Sequence, residues 1–188
     1  MRMTDKLICS LENLAKGRNI AIAGAAYAAC ATALNLGGAR IEEIAGSGSI
    51  LDLHQYFTEE EAFAVLTRYG EEGRRLYVRL ELVDLIYPLT YGVLLSLVLA
   101  YLLPRVFSPT SPVRKLALLP AMAVCMDYFE NAGLITMAAT YPERWPRLGT
   151  AAGLFNAAKW TLVATCLALT AMGLLGWVVQ TVRRRREA

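Results

Sequence analysis

The sequence predicts an all-α integral membrane protein, a four-helix transmembrane bundle with a short outer amphipathic helix between the first and second spans. Three observations predict it. The 188 residues are 56% hydrophobic, and the apolar residues are gathered into blocks. Four of these blocks, about 19–38, 82–103, 116–139 and 151–179, reach the roughly 20 residues needed to cross about 30 Å of hydrocarbon. The basic residues cluster at one set of block ends: Lys6, Lys16 and Arg18 before the first, Arg105, Arg114 and Lys115 between the second and third, and Arg183 to Arg186 after the fourth. The positive-inside rule then places both termini in the cytoplasm of a multi-pass cell-membrane protein.

Residues 1–17 read as a cytoplasmic surface helix with Leu7, Ile8, Leu11 and Leu14 on one side. The transmembrane domain covers 18–179, and 180–188 is a basic tail suited to an anionic leaflet. In the first span, Ala21, Ala25, Ala29 and Ala33 repeat every four residues. Small residues at that spacing let helices approach closely, so this span is expected inside the bundle or at an oligomer contact. Its basic lead resembles a secretory signal, but the apolar stretch is too long for a signal core. Gly37-Gly38 is expected to end it.

The outer loop, 39–81, begins irregularly over Ile41–Tyr56. Thr58-Glu59-Glu60-Glu61 is a capping box that opens the outer helix, and Gly70 closes it. A second helix starts near Glu71, and Pro88 kinks it. The third span has Pro120 in its first turns. Tyr141 to Pro146 forms a stiff connection to the fourth.

Function is carried by polar groups inside these spans. Asp127, Glu130 and Asn131 lie on one face of the third helix, at i, i+3 and i+4. A charge at mid-bilayer costs about 2.5–3.5 kcal/mol on insertion scales, so partners are expected. Asp84, Tyr87 and Tyr91 share a face of the second helix, and Asn156 and Lys159 occupy the fourth. At about 1.5 Å per residue, all three sets fall in the outer half of the membrane. Lys159 is expected to face Asp84, Asp127 or Glu130. The product is an outward-facing polar pocket, with Arg74 and Arg79 at its mouth to attract an anionic head group.

Other chemistry is narrowed by composition. The single histidine, His54, excludes bis-histidine haem and histidine-rich zinc sites. The four cysteines, Cys9, Cys30, Cys125 and Cys166, form no C-x-x-C pair, which disfavours thiol–disulfide exchange. Buried packing is the default for the last three. Neither a cofactor nor a metal is expected. Nucleic acid is not an expected partner, because the net charge of +3 resides at span ends.

The ordered pattern Gly70, Gly73, Arg74, Tyr77, then Asp84, Pro88, Tyr91, then Asp127, Glu130, Asn131, then Lys159 resembles a family of small four-span bacterial membrane proteins. The resemblance covers roughly residues 50–160 and implies the four-span fold without an activity. In outline the architecture is also similar to the sterol-isomerase and sigma-2-receptor group. The leading expectation is a pocket that binds or transports a lipid or small amphiphile. The alternatives are a membrane enzyme on a lipid or isoprenoid, with Glu130 or Asp127 as general acid or base, and a structural subunit or homo-oligomer of a larger complex. An ion path ranks last, because the inner half lacks polar residues. The bland counterpart of all of these is an ion-pair network that merely locks the helices.

Overall fold

The computed structural model describes residues 3–187, and every regular element among them is helical. Six α-helices follow one another: α1 (Met3–Leu14), α2 (Gly17–Ala45), α3 (Glu59–Asp84), α4 (Tyr87–Val106), α5 (Leu119–Thr140) and α6 (Leu148–Glu187). Short 3-10 turns occupy Leu51–Leu53 and Pro112–Leu118. Three stretches, Gly17–Ala45, Glu59–Val106 and Leu148–Arg186, are long and apolar enough to cross a membrane. α5, the third expected span, is not among them. Asp127, Glu130 and Asn131 sit at its centre and lower its hydropathy.

α4 touches α2, α5 and α6, and α5 packs along α6. Consecutive helices of this group alternate in direction, while α4 and α6 run parallel, with Gly173 against Leu102 and Gly176 against Val106. Tyr91 meets Asp127 and Gly92 meets Val124, so α4 and α5 are antiparallel. Gly133 meets Ala152 and Glu130 meets Lys159, which sets α5 antiparallel to α6. The apolar interior is divided in two. One cluster, around Ile41, Phe57, Leu66, Tyr77, Met137 and Ala152, lies at the end formed by α3 and the 46–58 loop. The other, around Ile8, Leu97, Leu103, Ala117 and Cys166, lies at the end that carries α1. Between them the buried side chains are polar: Glu81, Asp84, Asp127, Glu130, Asn131, Asn156 and Lys159. The helix exteriors are the reverse. Ile22, Leu36, Val93, Met122, Phe129, Leu154, Leu167 and Leu175 are all exposed.

Several expectations are corrected. α2 does not stop at Gly37-Gly38 but continues to Ala45. The glycines serve close packing: an added Cβ would come 2.4 Å from Leu80 at Gly37 and 2.6 Å from Ile50 at Gly38. The Ala21, Ala25, Ala29 and Ala33 row is exposed, which removes the bundle interior from its two expected places and leaves the oligomer contact. The α2 face that packs carries Ala23, Tyr27 and Ile41 instead. On α1, Ile8 is buried and Leu11 half-buried, while Leu7 and Leu14 point outward. Residues 1–2, and residue 188 of the expected tail, lie outside the described residues. Cys166 is buried, but Cys125 is exposed and Cys30 is intermediate.

The capping box forms as expected. Thr58 Oγ1 accepts from the Glu61 backbone N–H at 3.2 Å, and Glu61 accepts from the Thr58 backbone at 2.7 Å. The outer helix and the second helix are joined in α3 across a break at Gly70, whose φ of 62° and ψ of −173° are non-helical. The kink expected at Pro88 is a break over Leu85 and Ile86. Proline offers no N–H to the Asp84 carbonyl four residues back. Tyr128 Oη donates to the Leu85 carbonyl at 2.9 Å, which secures the joint against α5.

Candidate functional site

The polar layer is assembled from one helix end, two helix faces and a loop. Asp84 is the last residue of α3, so the break before Pro88 turns it inward. On α5, Asp127, Glu130 and Asn131 divide their contacts. Asn131 Nδ2 donates to Asp84 Oδ2 at 2.7 Å, and Tyr91 Oη donates to Asp127 Oδ2 at 3.0 Å. Glu130 faces the other way, where Lys159 Nζ stands 2.5 Å from its Oε2. Lys159 therefore meets one of the three acids expected of it. Glu130 is fully buried, and Lys159 is 7% exposed.

The loop supplies groups with no helical periodicity to betray them. Its 3-10 turn lies against α6, where the Asp52 carbonyl accepts from Trp160 Nε1 at 3.1 Å and from Lys159 Nζ at 3.5 Å. Asn156 Nδ2 donates to the His54 carbonyl at 2.7 Å. Tyr69 Oη donates to the Ser49 carbonyl. Gly153 makes this seating possible, since a Cβ there would lie 2.0 Å from the Phe57 carbonyl oxygen. Burial lifts the Asp52 carboxyl above its ordinary range, and the opposing pull of Lys159 is the smaller effect.

A cavity of about 320 Å³ adjoins this layer. At one end it is lined by Asp52, Asp84, Asp127 and Lys159, with Tyr27, Tyr87 and Tyr91 beside them. At the other it is lined by Leu94, Leu95, Val163 and Leu167. Leu167 is 54% exposed, so the apolar end reaches the surface. A second cavity of about 190 Å³ lies on the loop side and shares Asp52, Leu53, Asp84 and Tyr87 with the first. Its other charged lining residues are Glu42 and Glu81.

Asp84, Tyr87, Tyr91, Asp127 and Lys159 all line the larger cavity. Glu130, Asn131 and Asn156 stand behind its wall as partners of Lys159, Asp84 and the loop. Arg74 and Arg79 are not at its mouth. They line a different cavity, with Glu71, Ala138 and Tyr141, between α3 and the end of α5. There Arg74 donates to the Leu66 carbonyl at 3.0 Å and lies 4.0 Å from the centre of the Tyr141 ring. The break at Gly70 turns this part of α3 back onto its own preceding turns, which spacing along one continuous helix does not foresee.

Four contributors escaped the sequence reading: Tyr27, Asp52, Glu81 and Trp160. Glu81 was detectable, being three residues before Asp84 on the same helix face. Tyr27 was visible, with Asn35, as one of two large polar groups in an alanine-rich span, and it stacks on Tyr87 at 5.5 Å. No group of three or more metal-ligating side chains occurs among the described residues. No known protein family matches this chain, and comparison with curated proteins and with solved structures finds no match.

Proposed function

We propose that the chain is a multi-pass membrane protein whose polar layer closes one end of a site that binds or transports a lipid or small amphiphile. The inverted polarity of the helices supports the membrane placement. Carboxyls, amides and a lysine are inside, and leucine, methionine and phenylalanine are outside, the arrangement that hydrocarbon requires. α5 then crosses with α4 and α6 despite its acids, because Asp127, Glu130 and Asn131 are buried while Met122, Cys125 and Phe129 face outward. Basic residues gather at the α1 end, where Glu12 pairs with Arg114 and Asp5 with Lys115 at 3.0 Å. That end is cytoplasmic by the positive-inside rule.

The single observation that carries the functional reading is the division of the 320 Å³ cavity into a charged end and a leucine–valine end that reaches the surface. Such a cavity matches a molecule with a polar head and one apolar chain. The chemical alternative loses its leading residue, since Glu130 is engaged by Lys159 and does not line the cavity. The test is native mass spectrometry of the full-length protein released from detergent, beside the variant Val163→Trp, which fills the apolar end. Wild type is expected to retain an amphiphile that the variant lacks. Identical retained species in both, with both monodisperse and equally heat-stable, would overturn the reading.

A further inference from the structure

We propose that the charged end of this cavity recognises a cationic head group, an alkylammonium or quaternary ammonium, rather than an anionic one. The proposal rests on the amphiphile reading above and names the class of head. It stands on three observations. First, the hydrogen-bond donors that line the cavity, the Tyr27 hydroxyl aside, are already engaged within the protein. Tyr91 donates to Asp127, Tyr87 donates to Tyr27 at 3.3 Å, Trp160 donates to the Asp52 carbonyl, and Lys159 pairs with Glu130. Second, the buried side-chain atoms that line the two cavities and lack a partner are carboxylate oxygens. Asp127 is 2% exposed and lines the cavity, and its Oδ1 has no hydrogen-bond partner. Asp52 Oδ1 is in the same position, and Glu81 Oε2 is unmatched on the adjoining cavity. A buried acceptor without a donor is unfavourable, and a head that brings positive charge or N–H groups relieves it. An anionic head would find three carboxyls and a single cation, Lys159, that is already paired with Glu130.

Third, the same end is walled by aromatic rings. Tyr27 and Tyr87 stack with centroids 5.5 Å apart, and Tyr87 meets Tyr91 edge-on at 5.5 Å. Tyrosine rings beside carboxyls attract ammonium groups through their quadrupoles, most strongly where water is excluded. The smaller cavity extends this preference toward the loop side, since all its charged lining residues, Glu42, Asp52, Glu81 and Asp84, are acidic. A cation approaching from that side meets carboxyls along the whole route.

The experiment is calorimetric titration of full-length protein in dodecyl maltoside, with protein-free micelles subtracted. The probes are octyltrimethylammonium, octyl sulfate and octyl glucoside, which share one chain and differ in head. Octyltrimethylammonium is expected to saturate at one per chain and to bind at least about tenfold more tightly than the other two. Asp127→Asn, which keeps an acceptor for Tyr91, is expected to weaken it at least about tenfold. Tyr27→Leu alters no buried charge and is expected to weaken it about threefold or more, so it carries the residue test if the asparagine variant does not fold. Equal saturable binding of all three probes, abolished by Val163→Trp, would overturn the cationic head and leave the amphiphile cavity standing. Saturable binding by none of them would overturn both.

Discussion

Lys159 and Glu130 are the residues whose partnership matters most to stability. Taking two charges out of water is costly, and the cost is recovered only while they face each other. Replacing Lys159 by methionine leaves the fully buried Glu130 carboxyl alone. Lys159→Met is therefore expected to destabilise the protein by about 3–5 kcal/mol, read as lost resistance to denaturant in detergent. The double variant Glu130→Gln/Lys159→Met removes both charges and is expected to recover most of that loss. A double variant as unstable as the single one would show that the lysine serves contacts other than Glu130. At this scale the types and positions of the polar residues were legible in the sequence, because charges inside apolar runs are conspicuous. Their pairing was not. Asp84, Asp127 and Glu130 were equivalent candidates for Lys159 until the rotation of α5 turned Glu130 toward α6 and Asp127 toward Tyr91.

Among the elements, the 46–58 loop is the one whose role periodicity did not foretell. It is seated on α6 by backbone carbonyls, those of Asp52, His54 and Phe57, and a carbonyl leaves no side-chain signature. Gly153→Val would push a branched side chain into the Phe57 carbonyl. The expected outcome is release of the loop, seen as rapid chymotrypsin cleavage at the otherwise buried Phe57, with helical content unchanged. The N-terminal half of α3 has its own sensitivity. Hydrogen bonds from the Thr58 backbone and then its hydroxyl hold the Glu61 carboxyl below its usual range. Its folded value lies below the unfolded one, so this support is complete above about pH 4.3. It is lost as pH falls through the folded value. Amide protection over residues 59–66, taken relative to the intrinsic exchange rate at each pH, is expected to fall on acidification below that point in wild type, and Glu61→Gln is expected to flatten the dependence. Equal acid sensitivity in both would place the effect elsewhere.

For the whole molecule, the proposed orientation puts α1, the Pro112–Leu118 turn and the arginine end of α6 together at the cytoplasmic face. Cys9 is exposed at that end. A membrane-impermeant maleimide added to sealed right-side-out vesicles is expected to leave Cys9 unlabelled, whereas Gly48→Cys in the loop is expected to react. The reverse pattern would invert the topology. The arrangement of two apolar clusters around a polar layer also explains the exposure of the alanine row on α2. A helix that lies at the edge of the bundle needs only one packing face, and Ala23, Tyr27 and Ile41 supply it.

By itself the sequence determined the helical class, the apolar stretches, the capping box and the roster of polar residues in the helix interiors. These follow from residue type and spacing along one chain, which obey local geometry. Only the tertiary structure decided that Arg74 and Arg79 leave the polar layer, that Asp52 and Tyr27 join it, and that Glu130 rather than Asp127 takes the lysine. Those outcomes depend on helix rotation and on where an irregular loop docks. Both are set by contacts between residues tens of positions apart, and no local pattern encodes them.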